Sequence, residues 1–150
     1  MTLKIATLVT LAGLAAPAFA QEAAPEGDAA AGETVFNRCK ACHQIVDDSG
    51  EAIVRGGQVG PNLYGLAGRQ AGSVEGYSYS DAMVQAGEAG LNWEAETFKP
   101  YVLDPSAYLS EYLGESVRGK MQAQRLNDQQ LADVWAYLAQ FGGEEDAPES

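Results

Sequence analysis

The sequence contains one histidine and two cysteines, and beyond its first twenty residues it has no apolar segment long enough to span a membrane. A zinc site made only of Cys and His needs four such side chains, and this chain has three. Basic residues are also few. Nine Lys and Arg stand against 21 Asp and Glu, and the net charge of −12 argues against a nucleic-acid partner. A length of 150 residues, 46% of them hydrophobic, predicts one folded domain.

The first twenty residues predict a secretory signal peptide. Lys4 precedes an apolar run from Ile5 to Ala16, which is shorter than the roughly 20 residues needed to cross a bilayer. The segment from Pro17 to Ala20 then has the small-x-small pattern typical of signal-peptidase sites. Cleavage after Ala20 would place the mature protein in the periplasm. The alternative is a buried or anchoring helix.

The rest of the chain divides into a flexible leader (residues 21–27), one folded domain (residues 28–141) and an acidic disordered tail (residues 142–150). Asp28 is predicted to cap a helix that runs to about Cys39, and Gly32 within it predicts a close crossing by another helix. The last helix has the clearest pattern. Asn127 and Gln130 form a capping-box pair before an apolar stripe that extends to Phe141.

Between these two helices the sequence predicts short helices and long loops. Residues 47–76 are rich in glycine and have no helical or strand periodicity. Tyr79–Gln85 predicts a short helix, Asn92 is predicted to cap a helix over Trp93–Leu103, and Asp104 with Pro105 to open another. Pro100 predicts a kink within the second of these. No strand is predicted, so the fold class is all-α.

The motif that indicates chemistry is Cys39-Lys40-Ala41-Cys42-His43, the C-x-x-C-H pattern of covalent haem attachment. Thiols three residues apart lie on one side of a helical turn, where each can add to a haem vinyl group, and the adjacent His43 can then ligate the iron. Three alternatives remain open: a structural disulfide, a redox-active dithiol, and a zinc site that recruits carboxylates.

An iron held by His43 has a second axial position to fill. Met1 is expected to leave with the signal peptide, so the candidate thioether ligands are Met83 and Met121. Met121 is favoured because it lies in a predicted loop before the last helix, whereas Met83 fits ordinary helix packing. An open or water-bound position is the alternative. His/Met ligation favours electron transfer over oxygen chemistry.

With these residues in place, the sequence resembles the class I c-type cytochromes, including mitochondrial cytochrome c and, more closely, bacterial cytochrome c2 and c550 proteins. The resemblance covers roughly residues 27–141. Its matching stretches are Gly32, Phe36 and the C-x-x-C-H motif, Gly60-Pro61-Asn62-Leu63-Tyr64-Gly65, Gly76-Tyr77-Ser78-Tyr79, Asn92-Trp93, Tyr101 with Asp104-Pro105, Gly119-Lys120-Met121, and Asp133-Val134-Trp135-Ala136-Tyr137-Leu138.

The resemblance implies a class I cytochrome c fold, in which short helices and long loops wrap one covalently attached haem c and the first and last helices cross. It implies that the Pro61 carbonyl accepts a hydrogen bond from His43. Arg69, Tyr79 and Trp93 match residues that hold a haem propionate, and Tyr101 matches a tyrosine that donates to the methionine sulfur. Ordinary roles in a turn, in packing or at the surface are the alternatives for all five residues.

The function implied is that of a soluble, periplasmic, monomeric electron carrier and not of an enzyme. Its iron would cycle between Fe(II) and Fe(III) by outer-sphere transfer, between a cytochrome bc-type complex and a terminal oxidase or photosynthetic reaction centre. The alternative is a haem enzyme or ligand-sensing cytochrome with a labile sixth iron position. Four basic residues, here called the basic rim, are predicted to guide transient electrostatic docking: Arg38, Lys40, Arg118 and Lys120.

Overall fold

The computed structural model describes residues 27–142. The predicted signal peptide lies outside these residues, as do the predicted leader apart from residue 27 and the predicted tail apart from residue 142. The helices and strands, in chain order, are α1 (Ala29–Phe36), β1 (Ile45–Val46), β2 (Ala52–Val54), α2 (Asp81–Glu88), α3 (Ala95–Leu103), α4 (Pro105–Leu113) and α5 (Asp128–Leu138). Within residues 27–142, no helix is long and apolar enough to cross a membrane.

The predicted all-α class is confirmed, although the expectation of no strands is wrong at one point. β1 and β2 form an antiparallel pair in which Ile45 lies opposite Val54. The turn between them is built by Asp47, whose Oδ1 accepts hydrogen bonds from the backbone N–H groups of Ser49 and Glu51, each at 2.9 Å. Strands of two and three residues are too short to show an alternating pattern, so no periodicity indicated them.

Helices α1 and α5 cross in direct contact, as Gly32 predicted. A Cβ atom added at Gly32 would overlap the carbonyl oxygen of Asp133 and come within 2.8 Å of the Tyr137 Cβ. The rings of Phe36 and Tyr137 lie 5.5 Å apart beside this contact. The backbones approach this closely because position 32 has no side chain.

A buried carboxylate joins the start of α1 to α5. Asp28 caps α1 by accepting from the N–H groups of Ala30 and Ala31, and its own N–H donates to Asp133 Oδ1 at 2.8 Å. Gln129 donates to the same oxygen at 2.8 Å, so Asp133 is hydrogen-bonded although only 6% of it is exposed. The start of α1 is therefore determined by a contact with the other end of the domain.

Helix α5 has the predicted capping box, in which Asn127 and Gln130 exchange hydrogen bonds of 2.9 and 3.1 Å. It ends at Leu138, earlier than expected. The sequence predicted an amphipathic stripe, yet every residue from Leu131 to Leu138 is buried. The helix is covered on all sides because α1 packs against it and two of its residues, Val134 and Leu138, line the central cavity.

Three other predicted boundaries need correction. Helix α1 ends at Phe36 rather than near Cys39, and α2 spans Asp81–Glu88 rather than Tyr79–Gln85. Helix α3 is capped by Glu94 and not by Asn92. The reason is that Trp93 exchanges backbone hydrogen bonds with the 68–69 segment, at 2.8 and 2.9 Å, which holds it in an extended conformation before the helix.

The junction between α3 and α4 follows the prediction. Asp104 caps α4 with a 3.0 Å hydrogen bond to the Ala107 N–H, and Pro105 occupies the first turn. Pro100 does not end α3, which continues to Leu103. As a result Tyr101, the residue after this proline, stays in the helix with 8% of its surface exposed.

Candidate functional site

A cavity of about 380 Å³ lies between the helices and the long loops. All nine predicted site residues line it: Cys39, Cys42, His43, Pro61, Arg69, Tyr79, Trp93, Tyr101 and Met121. They come from segments spread over more than eighty residues of sequence, and the remaining lining is mainly apolar. The volume is in the range of pockets that hold cofactors.

The two cysteines lie on a helical turn that follows α1. Cys39 donates to the Phe36 carbonyl at 2.8 Å, and the N–H groups of Cys42 and His43 donate to the Cys39 carbonyl at 3.0 and 2.9 Å. Both thiols are free. Burial raises the pKa of the Cys39 thiol to about 11, with Cys42 adding to the effect and Arg38 opposing it. A redox-active dithiol requires a lowered pKa, so this environment disfavours that alternative.

The imidazole of His43 is held by one hydrogen bond. Its Nδ1 lies 2.8 Å from the carbonyl oxygen of Pro61, the contact that the family resemblance implied. Burial lowers the pKa of His43, while the hydrogen bond to Pro61 opposes that shift. The ring is therefore neutral at physiological pH. Since a carbonyl can only accept, Nδ1 carries the proton and Nε2 retains a lone pair for a metal.

Three glycines, which the sequence analysis did not identify as part of the site, pack against this turn. Gly57 and Gly60 donate to the carbonyls of Lys40 and Cys42, each at 2.8 Å. A Cβ atom at Gly60 would overlap the His43 ring, lying 2.7 Å from Nε2. Added Cβ atoms at Gly56 and Gly57 would overlap the carbonyl oxygens of His43 and Ala41. The glycine-rich loop thus packs directly against the C-x-x-C-H motif.

Arg69 has one buried hydrogen-bond donor, its Nε, that no described residue accepts from. Its Nη1 and Nη2 donate to the carbonyls of Tyr64 and Asn62 at 2.6 and 3.1 Å. Its Nε is buried and makes no hydrogen bond to the part of the chain that the structure describes. Burial lowers the pKa of Arg69, and the nearby Tyr79 opposes this. A buried cationic donor with one free N–H suits the carboxylate of a group bound in the cavity.

Met121 lies in the irregular segment between α4 and α5, and hydrogen bonds hold this segment on both sides of it. Gly119 N–H donates to Ser106 Oγ at 3.1 Å, Gln124 N–H to the Val102 carbonyl at 2.9 Å, and Lys120 Nζ to the Ser78 carbonyl at 2.5 Å. The thioether is thereby fixed on the wall of the cavity that also contains His43. Met83 of α2 lines the cavity too and is 5% exposed.

The aromatic residues predicted for the site each pack against another aromatic ring. The ring centroids of Trp93 and Tyr101 lie 4.8 Å apart, and those of Tyr77 and Tyr79 lie 4.7 Å apart. Burial raises the pKa of Tyr101 well above its usual value, with Tyr77 and Tyr79 adding to the shift. Its hydroxyl therefore remains protonated and can act as a hydrogen-bond donor inside the cavity.

Comparisons with known proteins agree with this geometry. A family model described as Cytochrome c matches residues 29–142. Cytochrome c-551 of Roseobacter denitrificans is 49% identical over 143 residues, which cover 95% of this chain and 98% of the relative. Cytochrome c2 of Rhodovulum adriaticum is 52% identical over 122 residues, or 80% and 97% of the two chains. Among solved structures, cytochrome c2 of Rhodobacter sphaeroides is similar with a TM-score of 0.75 and 44% identity, covering 78% of this chain and 98% of the other.

Proposed function

Because this chain belongs to the cytochrome c family, we propose that it carries single electrons between membrane redox complexes outside the cytoplasm. It is a class I c-type cytochrome and an electron carrier, with one covalently bound haem c. When bound, the haem iron supplies the one-electron chemistry by alternating between Fe(II) and Fe(III). The observation that most supports the proposal is a single cavity lined by two free thiols, a neutral imidazole and a thioether.

Four side chains are assigned to the haem and its iron. Cys39 and Cys42 would hold the haem through thioether bonds. His43 would bind the iron through Nε2, the nitrogen left free by the hydrogen bond to Pro61. The thioether of Met121 would supply the other ligand. The hydrogen bonds on both sides of Met121 hold its thioether at the cavity wall, which favours a stable iron ligand over the alternative of a labile one.

Other cavity residues position these ligands and tune the iron. The buried Nε of Arg69 would donate to a haem propionate, and Tyr79 and Trp93 would complete that interaction. The hydroxyl of Tyr101 would donate to the Met121 sulfur, while the Pro61 carbonyl fixes the orientation of the His43 ring. The apolar lining would keep water from the iron, which would stabilise the less charged reduced state. The residues concerned include Leu63, Leu66, Val102, Val134 and Leu138.

Replacing Met121 with alanine tests the axial assignment. We expect the ferric protein to lose the weak long-wavelength absorption band of a thioether-ligated haem and its reduction potential to fall, because the thioether stabilises Fe(II). The measurements are an absorption spectrum and a redox titration. Met83→Leu, which removes the other methionine of the cavity, is the matched control and should retain the band. A Met121→Ala protein that keeps the band would contradict the assignment and favour Met83 as the ligand. A wild-type protein without the band would favour the ligand-sensing alternative.

The proposed partners are a membrane cytochrome bc-type complex as donor, and an oxidase or a photosynthetic reaction centre as acceptor. The proposed compartment is the periplasm, reached through cleavage of the signal peptide after Ala20. The charge distribution around the cavity supports docking to such partners. Arg38 and Lys120 of the basic rim line it, Arg118 is exposed nearby, and the chain as a whole is anionic. A dipole of this kind orients a carrier before contact.

The rate of association with an isolated bc-type complex is expected to fall steeply as ionic strength rises to about 0.15 M, where the Debye length is about 8 Å. Stopped-flow kinetics over a salt series measures this. Arg118→Gln should lower both the rate at low salt and its dependence on salt. A rate that does not change with salt would remove the docking role of the basic rim, while leaving the haem assignment intact.

A further inference from the structure

Four aromatic rings, here called the aromatic row, lead from the cavity to the outer surface of α4. Trp93 and Tyr101 line the cavity, with ring centroids 4.8 Å apart. Tyr101 meets Tyr108 edge-on at 6.2 Å, and Tyr108 stacks on Tyr112 at 6.2 Å. Every step is within the 4.5–7 Å range of interacting aromatic pairs. The row therefore connects the cavity to the surface through rings in contact.

The local sequence explains why the row is continuous. Tyr108 and Tyr112 are four residues apart on α4 and so stack along one face of that helix. Asp104 is the only residue between α3 and α4, and it caps α4, so the helix that contains Tyr101 is held close to the helix that contains Tyr108. The hydroxyl of Tyr112 contacts the Ala89 carbonyl at 3.4 Å, which fixes the outer end.

Exposure increases along the row. Tyr101 is 8% exposed, Tyr108 is half-buried, and Tyr112 is 39% exposed, one of the few large hydrophobic side chains at the surface of the described chain. The surroundings of Tyr112 are acidic. Glu111 and Glu115 flank it on the chain, and both are exposed. Their charge is opposite in sign to that of the basic rim, which they adjoin, since Glu115 lines one surface pocket together with Arg118 and Lys120.

We propose that the face of α4 around Tyr112 is a second electron-transfer surface, which docks a redox partner with a positively charged surface and couples it to the haem through the aromatic row. The inference rests on the electron-carrier function proposed above. The step is an outer-sphere exchange of one electron: the iron of the reduced protein loses it and the partner gains it. No bond is formed or broken and no proton is transferred. The rings stay neutral and act only as the medium for tunnelling.

Both physical requirements of such a surface are present. Electron tunnelling weakens exponentially with distance and is slower across gaps than through atoms in contact, and the aromatic row leaves no gap between the cavity and Tyr112. A transient redox complex needs only a small contact area, with opposite charges to bring the partners together. The exposed ring of Tyr112 supplies the contact, and Glu111 with Glu115 supplies the charge.

The first test compares two oxidants of opposite charge acting on the reduced holoprotein: the cation tris(phenanthroline)cobalt(III) and the anion hexacyanoferrate(III). The double variant Glu111→Gln/Glu115→Gln should lower the rate with the cobalt complex about threefold or more at low ionic strength, and the difference should vanish near 0.15 M salt. The matched control, Glu33→Gln/Glu51→Gln, removes the same charge from exposed positions on α1 and the hairpin, neither of which packs against α4. The rate with hexacyanoferrate(III) should not fall in either variant.

The second test addresses the rings and leaves the charges unchanged. Tyr112→Leu and Tyr108→Leu should slow oxidation by the cobalt complex severalfold, whereas Tyr112→Phe and Tyr108→Phe, which retain the rings, should not.

A third test, by NMR, does not depend on electron transfer. The redox-inert cation hexaamminechromium(III) should broaden the backbone amide NMR signals of residues 111–115 more than those of α1.

Equal rates in the α4 variants and their controls, or no selective broadening on α4, would overturn the proposal. A rate that depends on the carboxylates but not on the rings would also overturn it, since docking would then occur without coupling through the row. Failure of the proposed function is a separate result: the wild-type protein would then exchange electrons with neither oxidant.

Discussion

Replacing Gly32 with alanine is expected to lower the free energy of unfolding by about 3 kcal/mol or more. Helix propensity alone predicts the opposite, a gain of about 1 kcal/mol, because alanine is the better helix former. The contact with α5 determines whether the free energy of unfolding rises or falls. The added Cβ would overlap the Asp133 carbonyl oxygen, which is part of a helix backbone and cannot rotate away. The two helices would have to separate, exposing the packed rings of Phe36 and Tyr137.

Chemical denaturation followed by circular dichroism measures this change. The control is Ala30→Gly, on the exposed side of the same helix, where only propensity acts and a loss of about 1 kcal/mol is expected. Domains of this size have a total stability of about 5–15 kcal/mol, so the Gly32 variant should also unfold at a clearly lower temperature. A Gly32→Ala protein as stable as the wild type would show that the crossing tolerates a side chain.

Replacing Gly60 with alanine should clearly reduce the fraction of the protein that holds haem, because losing the support of a metal ligand typically costs about 10–100-fold in metal affinity. The backbone at Gly60 is not in the left-handed region, so the expected effect is one of space alone. The new methyl group would occupy the volume of the His43 ring and displace it from the Pro61 carbonyl. The imidazole would then lose both its orientation and its tautomer.

Mass spectrometry of the purified protein, together with the intensity of the haem absorption, measures the haem content. Val59→Ala is the matched control, because its side chain is 75% exposed and adjacent to Gly60 in the same loop. It should load haem normally. Normal haem content in the Gly60 variant would mean that the ring can shift without losing its role, and the support assigned to this glycine would be wrong.

The parts of the site that could be predicted are those encoded by contiguous residues. The cysteine spacing, the adjacent histidine and the capping box of α5 each involve neighbours along the chain, so their geometry follows from local structure. The structure then brings all nine predicted residues to one cavity. The pairing of His43 with Met121 followed from the few candidate iron ligands in the sequence. The convergence of the other residues was expected only through the resemblance to a known family.

The features that could not be predicted depend on contacts between distant segments. Trp93 lies outside its predicted helix because it pairs with the backbone of Arg69. Gly56 and Gly57 were assigned to a loop, yet their lack of a side chain is required by the turn at residues 40–43. The aromatic row is visible along the chain only as tyrosines four residues apart on α4. Its connection to the cavity depends on how α3 and α4 pack.

The pairing of α1 with α5 has a consequence for the order of events during synthesis. Helix α1 leaves the ribosome among the first parts of the domain, and the helix against which it packs leaves among the last. An isolated helix of eight residues is not stable in water, so α1 cannot persist until α5 arrives. The pairing of these two helices is therefore formed only when synthesis of the domain is nearly complete.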